Sequence, residues 1–221
     1  MVPIFVGYDP RESVAYHTFC NSVIRHSSVP VSFVPLAKNL LNFDGRRDGS
    51  NDFVYSRFLV PHMMGYQGWA LYADGDMLLR TDIAELWRQR DEWKAVMVVK
   101  HDYKTKHPQK YLGNANADYE RKNWSSLILW NCGHFGNRGL TPKRISERDG
   151  AYLHRFQWLE DDRIGELPKA WNHLELEYEH EPEAKLVHFT VGTPCFAEYA
   201  TTPFAGEWHN ERHESQRPCV L

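Results

Sequence analysis

The sequence predicts a single α/β domain with a mostly parallel central sheet flanked by helices, on three observations. The chain opens in β-α-β order, with two short apolar runs separated by an amphipathic stretch. Its later apolar runs are also short, as buried strands of covered sheets are. A content of 42% hydrophobic residues in a chain of 221 is enough for one substantial core.

Ile4-Phe5-Val6 reads as a short buried strand ending at Gly7, and residues 14–27 as a helix with Val14, His17, Cys20, Val23 and Ile24 on one face. Residues 31–34 supply the next strand, residues 53–64 a helix, and Trp69-Ala70-Leu71-Tyr72-Ala73 another strand, so right-handed crossovers are expected. Between them, residues 42–51 combine glycines with charges of both signs, the composition of a solvated linker or of a surface loop able to close over a ligand. Residues 95–99 form a further apolar strand, which gives way to a polar arm over 100–122 carrying Tyr103, Tyr111 and Tyr119. Residues 126–130 resume as a strand. Thr141-Pro142 opens a helical region, because proline is tolerated in a first helical turn. Leu186-Val187-His188-Phe189 is a late strand. The domain is expected to span residues 1–200, with a polar tail over 201–221, docked loosely or frayed, in which Trp208 is the last large apolar residue. No internal repeat is present.

The balance of 26 basic against 29 acidic residues, net charge -3, gives no electrostatic case for a nucleic-acid partner. Twelve histidines make the charge sensitive to pH between about 7 and 5.5. Cys20, Cys132, Cys195 and Cys219 show no CxxC pairing, which argues against a zinc ribbon or a disulfide framework and fits a reducing cytoplasm. No apolar stretch approaches the roughly 20 residues needed for a transmembrane segment. The apolar start at residues 2–7 is followed at once by Asp9, Arg11 and Glu12, which is not the pattern of an ordinary signal peptide. Asn123-Trp124-Ser125 matches a glycosylation sequon by chance, since nothing else indicates secretion.

The most informative local feature is Asp74-Gly75-Asp76, set directly after the strand 69–73. Two carboxylates at the end of a buried strand place oxygen ligands at the mouth of the sheet, where ligands of open α/β folds bind. Hard divalent cations favour such oxygens and share their remaining positions with phosphates, so the tripeptide suggests a diphosphate ligand. The glycine fits a tight turn, and a plain turn is the commoner use of such a tripeptide.

Read together, Tyr55-Ser56-Arg57-Phe58-Leu59-Val60-Pro61, Leu71-Tyr72-Ala73-Asp74-Gly75-Asp76, Leu186-Val187-His188-Phe189 and the opening Ile4-Phe5-Val6-Gly7-Tyr8-Asp9 are far more specific than any one of them. The set resembles the GT-A-fold (Rossmann-like) nucleotide-sugar glycosyltransferases, with most similarity to glycosyltransferase family 8 and its relatives, from residue 3 to about residue 195. The resemblance implies that Asp74, Asp76 and His188 bind one Mn²⁺ or Mg²⁺, which also grips the diphosphate of a UDP-sugar or other nucleotide-sugar donor. It implies that Arg57 approaches the aspartates and the donor, and that Arg57 and Asp76 act in catalysis. Gly7, Tyr8 and Asp9 fall where that family binds the nucleotide, with Tyr8 able to stack on the base or to serve as a core aromatic. Gly75 and Gly192 complete the implied donor contacts, with Ser125 and Asn123 as lesser candidates beside them. His154 and Gln157 either point into the pocket or belong to a solvated helix face, and Trp171-Asn172 reads as structural with a chance of touching the site.

Two departures from the family pattern stand out. His188-Phe189-Thr190-Val191-Gly192-Thr193-Pro194-Cys195 lacks the lysine that the family uses on the diphosphate, so Thr193, the Gly192 backbone or another cation must replace it. Trp124-Ser125-Ser126 matches the family's sugar-facing segment loosely, which leaves room for a donor sugar other than glucose or galactose. The implied reaction is metal-assisted transfer of a sugar to a glycan or other hydroxyl acceptor, with retention, through a front-face route that needs no protein base. The rival readings are a non-catalytic nucleotide-sugar or carbohydrate binding protein and a metal-dependent nucleotidyltransferase or phosphohydrolase. The latter is weakened by the absence of a P-loop lysine motif and of a second carboxylate cluster. Residues 100–122 and the tail after Pro203 are the expected acceptor-facing segments.

Overall fold

The computed structural model describes residues 1–41, 43 and 53–216. The segment 42–51, read from sequence as a surface loop, therefore lies outside the described residues except for Phe43. The opening unit is as expected. Strand β1 (Val2–Tyr8) leads through a 3-10 turn into helix α1 (Ser13–His26) and back to strand β2 (Val31–Ala37), which pairs with β1 in parallel from Val2↔Val31 to Tyr8↔Ala37.

The inward face of α1 differs from the stripe read off the sequence. Ala15, Thr18, Phe19, Ser22 and Val23 are buried, whereas Ile24 is 59% exposed and His17 faces solvent. Both stripes satisfy a 3.6-residue period, and tertiary contact chooses between them. Ser22 Oγ accepts a hydrogen bond from Leu79 N at 3.1 Å, which requires that small face to lie against the strand carrying Leu79.

Residues 53–64 do not form one helix. A 3-10 helix at Ser56–Leu59 passes into the short α2 (Val60–Met63), because Pro61 has no N–H to bond the carbonyl of Arg57. Strand β3 (Trp69–Ala73) follows, then β4 (Met77–Leu79), helix α3 (Ile83–Trp87), β5 (Val96–Val98) and β6 (Leu127–Asn131). Helices α4 (Pro142–Glu147) and α5 (Gly150–His154) precede β7 (Ile164–Glu166), β8 (His173–Leu174) and β9 (Leu186–His188).

The main sheet has strand order β2-β1-β3-β6-β5-β7. Strand β6 is antiparallel to both neighbours, and the other pairings are parallel, so the sheet is mostly parallel as the sequence predicted. Alternate residues feed two cores: Phe5, Tyr72, Val98, Ile128 and Trp130 enter one, while Ile4, Val6, Leu71, Met97 and Leu129 enter the other. Burial on both faces explains why these strands read as continuous apolar runs. A smaller sheet, β4-β9-β8, pairs Met77 with His188.

The C-terminal segment is neither loose nor frayed as far as Ser215. Helix α6 (Ala205–Ser215) seats the fully buried Trp208 against Leu78, Val187, Phe189 and Phe204. Arg25 of α1 pairs with Glu211 at 2.9 Å, and Asn21 donates to the same carboxylate. The segment's polarity belongs to its outer face, while Phe204, Trp208 and the buried Glu211 dock it and Glu207 pairs with Arg80 at 2.7 Å. Among the described residues, no helix is long and apolar enough to cross a membrane, and Cys20, Cys132 and Cys195 are free thiols.

Candidate functional site

Strand pairing assembles the site. Asp74 follows β3, and its N–H donates to the Ser126 carbonyl at 2.9 Å, which brings the start of β6 beside it. Asp76 precedes β4, whose antiparallel pairing with β9 sets His188 across from Met77. The Phe189 N–H closes that register on the Asp76 carbonyl at 3.0 Å. Side-chain ligand atoms of Asp74, Asp76 and His188 consequently lie within 4.8 Å of one another.

The imidazole is oriented by a hydrogen-bond relay. The Ser126 hydroxyl donates to the Asn123 carbonyl at 2.7 Å, so its lone pair is what accepts the Asn172 amide N–H at 2.8 Å. That fixes the Asn172 carbonyl oxygen toward His188 Nδ1 at 3.1 Å. With Nδ1 donating to this oxygen, Nε2 is the lone-pair atom of the neutral ring. It faces Asp76 Oδ1 at 3.4 Å and Asp74 Oδ2 at 4.0 Å. Asp76 Oδ1 is buried and receives no hydrogen bond. An imidazole lone pair and an orphaned carboxylate oxygen turned toward one another fit a cation between them, and a neighbour holding the other ring N–H is the usual support of a ligating histidine.

Arg57 is 4% exposed and approaches the aspartates as an ion pair, with its guanidinium 3.1 Å from Asp74 Oδ1 and donating to the Ser125 carbonyl at 2.9 Å. It also stacks over the Tyr72 ring at 5.1 Å, and the Tyr72 hydroxyl donates to Asp74. Burial raises the Asp74 carboxyl above its ordinary value, with Arg57 pulling it back. Both Asp74 oxygens meet Arg57, Oδ1 at 3.1 Å and Oδ2 at 3.4 Å, so Asp76 offers the freer oxygen.

These groups open onto a cavity of about 410 Å³ lined by Arg57, Asp74, Asp76, Asn123, Ser125, His154 and His188 among the sequence candidates. Ser125 Oγ and His154 Nδ1 form a hydrogen-bonded pair at 2.6 Å, and burial followed by the nearby Arg57 pushes His154 down to about 3. Gln157 is exposed and is not part of the lining.

The first-strand candidates lie beside the cavity. Gly7, Asp9, Gly75 and Asp76 share a small crevice with Glu12, Tyr16 and Phe53. Asp9 caps the 3-10 turn by accepting from Arg11 N at 2.9 Å and holds the Arg11 guanidinium. Tyr8 meets the edge of Tyr16 at 5.4 Å. Gly75 is required for close approach rather than for a turn: a Cβ there would sit 2.4 Å from the Gly7 carbonyl oxygen. Gly192 is packed under the Tyr199 ring, which a Cβ would overlap at 2.1 Å, and lies outside the lining.

The arm 100–122 was expected to face the acceptor, but its individual lysines and Asn116 were not singled out as site residues. The arm 100–122 folds over the cavity and contributes Lys110, Tyr111, Asn116, Tyr119 and Lys122. Glu12, beside Asp76, is pushed up to about 7 by burial first and the Asp76 charge second, while hydrogen bonds from Tyr111 and Thr193 oppose the shift. The arm's mixture of lysines and tyrosines was the local signal, and it is equally the signal of a solvated loop.

No protein-family model matches the chain. Its fold is that of the GT-A glycosyltransferases, as comparison with solved structures shows. The galactosyltransferase LgtC in complex with donor and acceptor sugar analogs superposes with a TM-score of 0.65 at 13% identity, covering 99% of this chain and 98% of LgtC. The glycosyltransferase GlyE of Streptococcus pneumoniae TIGR4 gives 0.66 at 13% identity, covering 99% of this chain and 62% of GlyE. The bifunctional WbbM gives 0.55 at 15% identity over 95% of this chain, which spans about half, 51%, of WbbM. In sequence, the chain is 44% identical over 222 residues to Protein CDI of Arabidopsis thaliana, covering 96% of this chain and 86% of that protein. The chain belongs to the family of Protein CDI.

Proposed function

We propose that the protein is a metal-dependent glycosyltransferase that moves a sugar from a nucleotide-sugar donor, UDP-linked in the first instance, to a glycan or other hydroxyl acceptor with retention. The observation that carries this reading is the orphaned Asp76 Oδ1 facing the His188 Nε2 lone pair inside a cavity. The GT-A fold supports it, and so does the complex of LgtC with donor and acceptor sugar analogs.

Asp74, Asp76 and His188 would hold the Mn²⁺ or Mg²⁺, whose charge stabilises a departing diphosphate. Arg57 holds Asp74 in place through the ion pair and the Ser125 carbonyl. Neutral His154 and Ser125 present polar atoms to the cavity without adding charge, which suits hydrogen bonding to sugar hydroxyls. The lining carries four cationic side chains, Arg57, Lys110, Lys122 and Arg155, against two carboxylates, so the wall favours an anionic ligand although the whole chain is net negative. No side chain is assigned as base. A cytoplasmic location is part of the reading, supported by the free thiols.

Calorimetric titration of UDP, GDP, CDP and ADP, with Mn²⁺ and with EDTA, tests the donor site. Metal-dependent binding of one nucleotide that is lost in an Asp74→Ala/Asp76→Ala variant supports the reading and selects the sugar donors to screen for turnover. Absence of nucleotide binding to a folded, metal-loaded protein rejects it.

A further inference from the structure

We propose that Lys110 is the side chain that grips the phosphates of the anionic ligand, completing from the arm the charge that the late strand does not supply. This inference rests on the donor site proposed above. Elimination among the cavity's cations leads to it. Arg57 is held by Asp74 at 3.1 Å and by the Ser125 carbonyl at 2.9 Å, and Arg155 lies 3.6 Å from Glu120; each keeps an unpartnered Nε, but the guanidinium charge of each is already faced by a carboxylate. Lys122 has three N–H groups and three acceptors: Thr105 Oγ1 at 2.8 Å, Asn116 Oδ1 at 2.6 Å and the Ala117 carbonyl at 2.8 Å. It is a clamp that holds the arm together, with no donor left for a ligand.

Lys110 differs. Its ammonium donates to Thr190 Oγ1 at 3.0 Å, and among the described residues no carboxylate pairs with it. Two of its three donors remain for a ligand. Its position is set by backbone: Lys110 N donates to the Asn114 carbonyl at 2.8 Å, and Tyr111 N to the Val191 carbonyl at 2.8 Å, tying the arm to the chain just beyond β9. Thr190 follows His188 by two residues, so the ammonium is anchored on the same segment as the metal-ligand candidate. Burial pushes the Lys110 ammonium below its ordinary value, with Asp76 and then Asp74 opposing the shift, and all three side chains line the same cavity.

A divalent cation on the acidic pair would repel Lys110 unless an anion lay between them, and a diphosphate is such an anion. The neutral Thr190 hydroxyl is a weak partner to surrender for charge-assisted bonds to phosphate oxygens.

The test is calorimetry on the full chain with Mn²⁺, using inorganic pyrophosphate, uridine and whichever of UDP, GDP, CDP and ADP binds most tightly. Lys110→Met is expected to lose about 10- to 100-fold in affinity for pyrophosphate and for the nucleoside diphosphate. Binding of Mn²⁺ alone and of uridine is expected to persist. Lys110→Arg is expected to recover part of the loss, and Lys122→Met to lower the melting temperature instead. If Lys110→Met melts early, Lys110→Gln decides, because it keeps a polar N–H donor on the side chain while removing the charge. Unchanged diphosphate affinity in the folded, charge-free variant overturns the role of Lys110 and leaves the donor site standing. A wild-type protein that binds Mn²⁺ but neither pyrophosphate nor any nucleotide overturns both.

Discussion

Asn172 Oδ1 lies 3.1 Å from His188 Nδ1, and its amide group is anchored at the other end on Ser126. This contact decides which imidazole nitrogen turns toward Asp76. Asn172→Ala removes the orienting acceptor and leaves the ring free to change tautomer. The expected result is a loss of about 10- to 100-fold in Mn²⁺ affinity with the fold retained. Calorimetry with the metal alone, beside a melting curve, checks it; wild-type metal affinity in the variant would show that the relay has no bearing on the site.

Gly75 lies so close to the Gly7 carbonyl oxygen that a Cβ would approach it to 2.4 Å. The obstacle is backbone of β1, not the end of a flexible side chain, so Gly75→Ala has to push the two strand ends apart. A cost of about 1–3 kcal/mol is expected, the range for overpacking. Denaturant unfolding measures it. The same displacement moves Asp74 and Asp76, so weaker Mn²⁺ binding should accompany the lost stability.

His154 is neutral in the fold, with burial and then Arg57 pushing it down to about 3, whereas an unfolded histidine titrates near its ordinary value of 6.5. Between those values the unfolded chain binds a proton that the folded chain refuses. Stability from this group is complete above about pH 6.5 and falls as the pH drops toward 3, by roughly 3 kcal/mol at pH 4 as an upper figure. His101, pushed down to about 3 by burial first, acts in the same direction. Unfolding free energies measured from pH 7 to 4 should fall less steeply in His154→Gln than in the wild type; parallel slopes would contradict the buried neutral state.

Trp208 is fully buried on α6 among Leu78, Val187 and Phe189. Trp208→Ala should cost about 3–5 kcal/mol, the usual range for a large core aromatic. Because Leu78 and Val187 pair in the β4–β9 ladder, which also carries His188, the variant should lose metal affinity as well. A melting temperature equal to that of the wild type would mean that the helix does not hold the domain together.

The metal-ligand candidates could be found in the sequence because their signals are local or motif-like. Asp74 and Asp76 follow an apolar strand, and Arg57 and His188 sit in short recognisable contexts. The β-α-β opening and the buried strands were legible for the same reason, since period and run length depend on near neighbours. The inward face of α1 was not: two stripes fit one period, and the hydrogen bond between Ser22 and Leu79 selects one of them. Nor could local pattern distinguish Lys110 from Lys122, two lysines of one polar arm. Their roles diverge because Lys122 meets three acceptors contributed by the arm, whereas backbone pairing of Tyr111 with Val191 carries Lys110 to the metal-ligand segment. Composition and spacing thus specified the elements and the acidic pair, while the β4–β9 register and the folding back of the arm decided which charges share a cavity. Such contacts join segments far apart in the chain, and their selection depends on packing, which no local window contains.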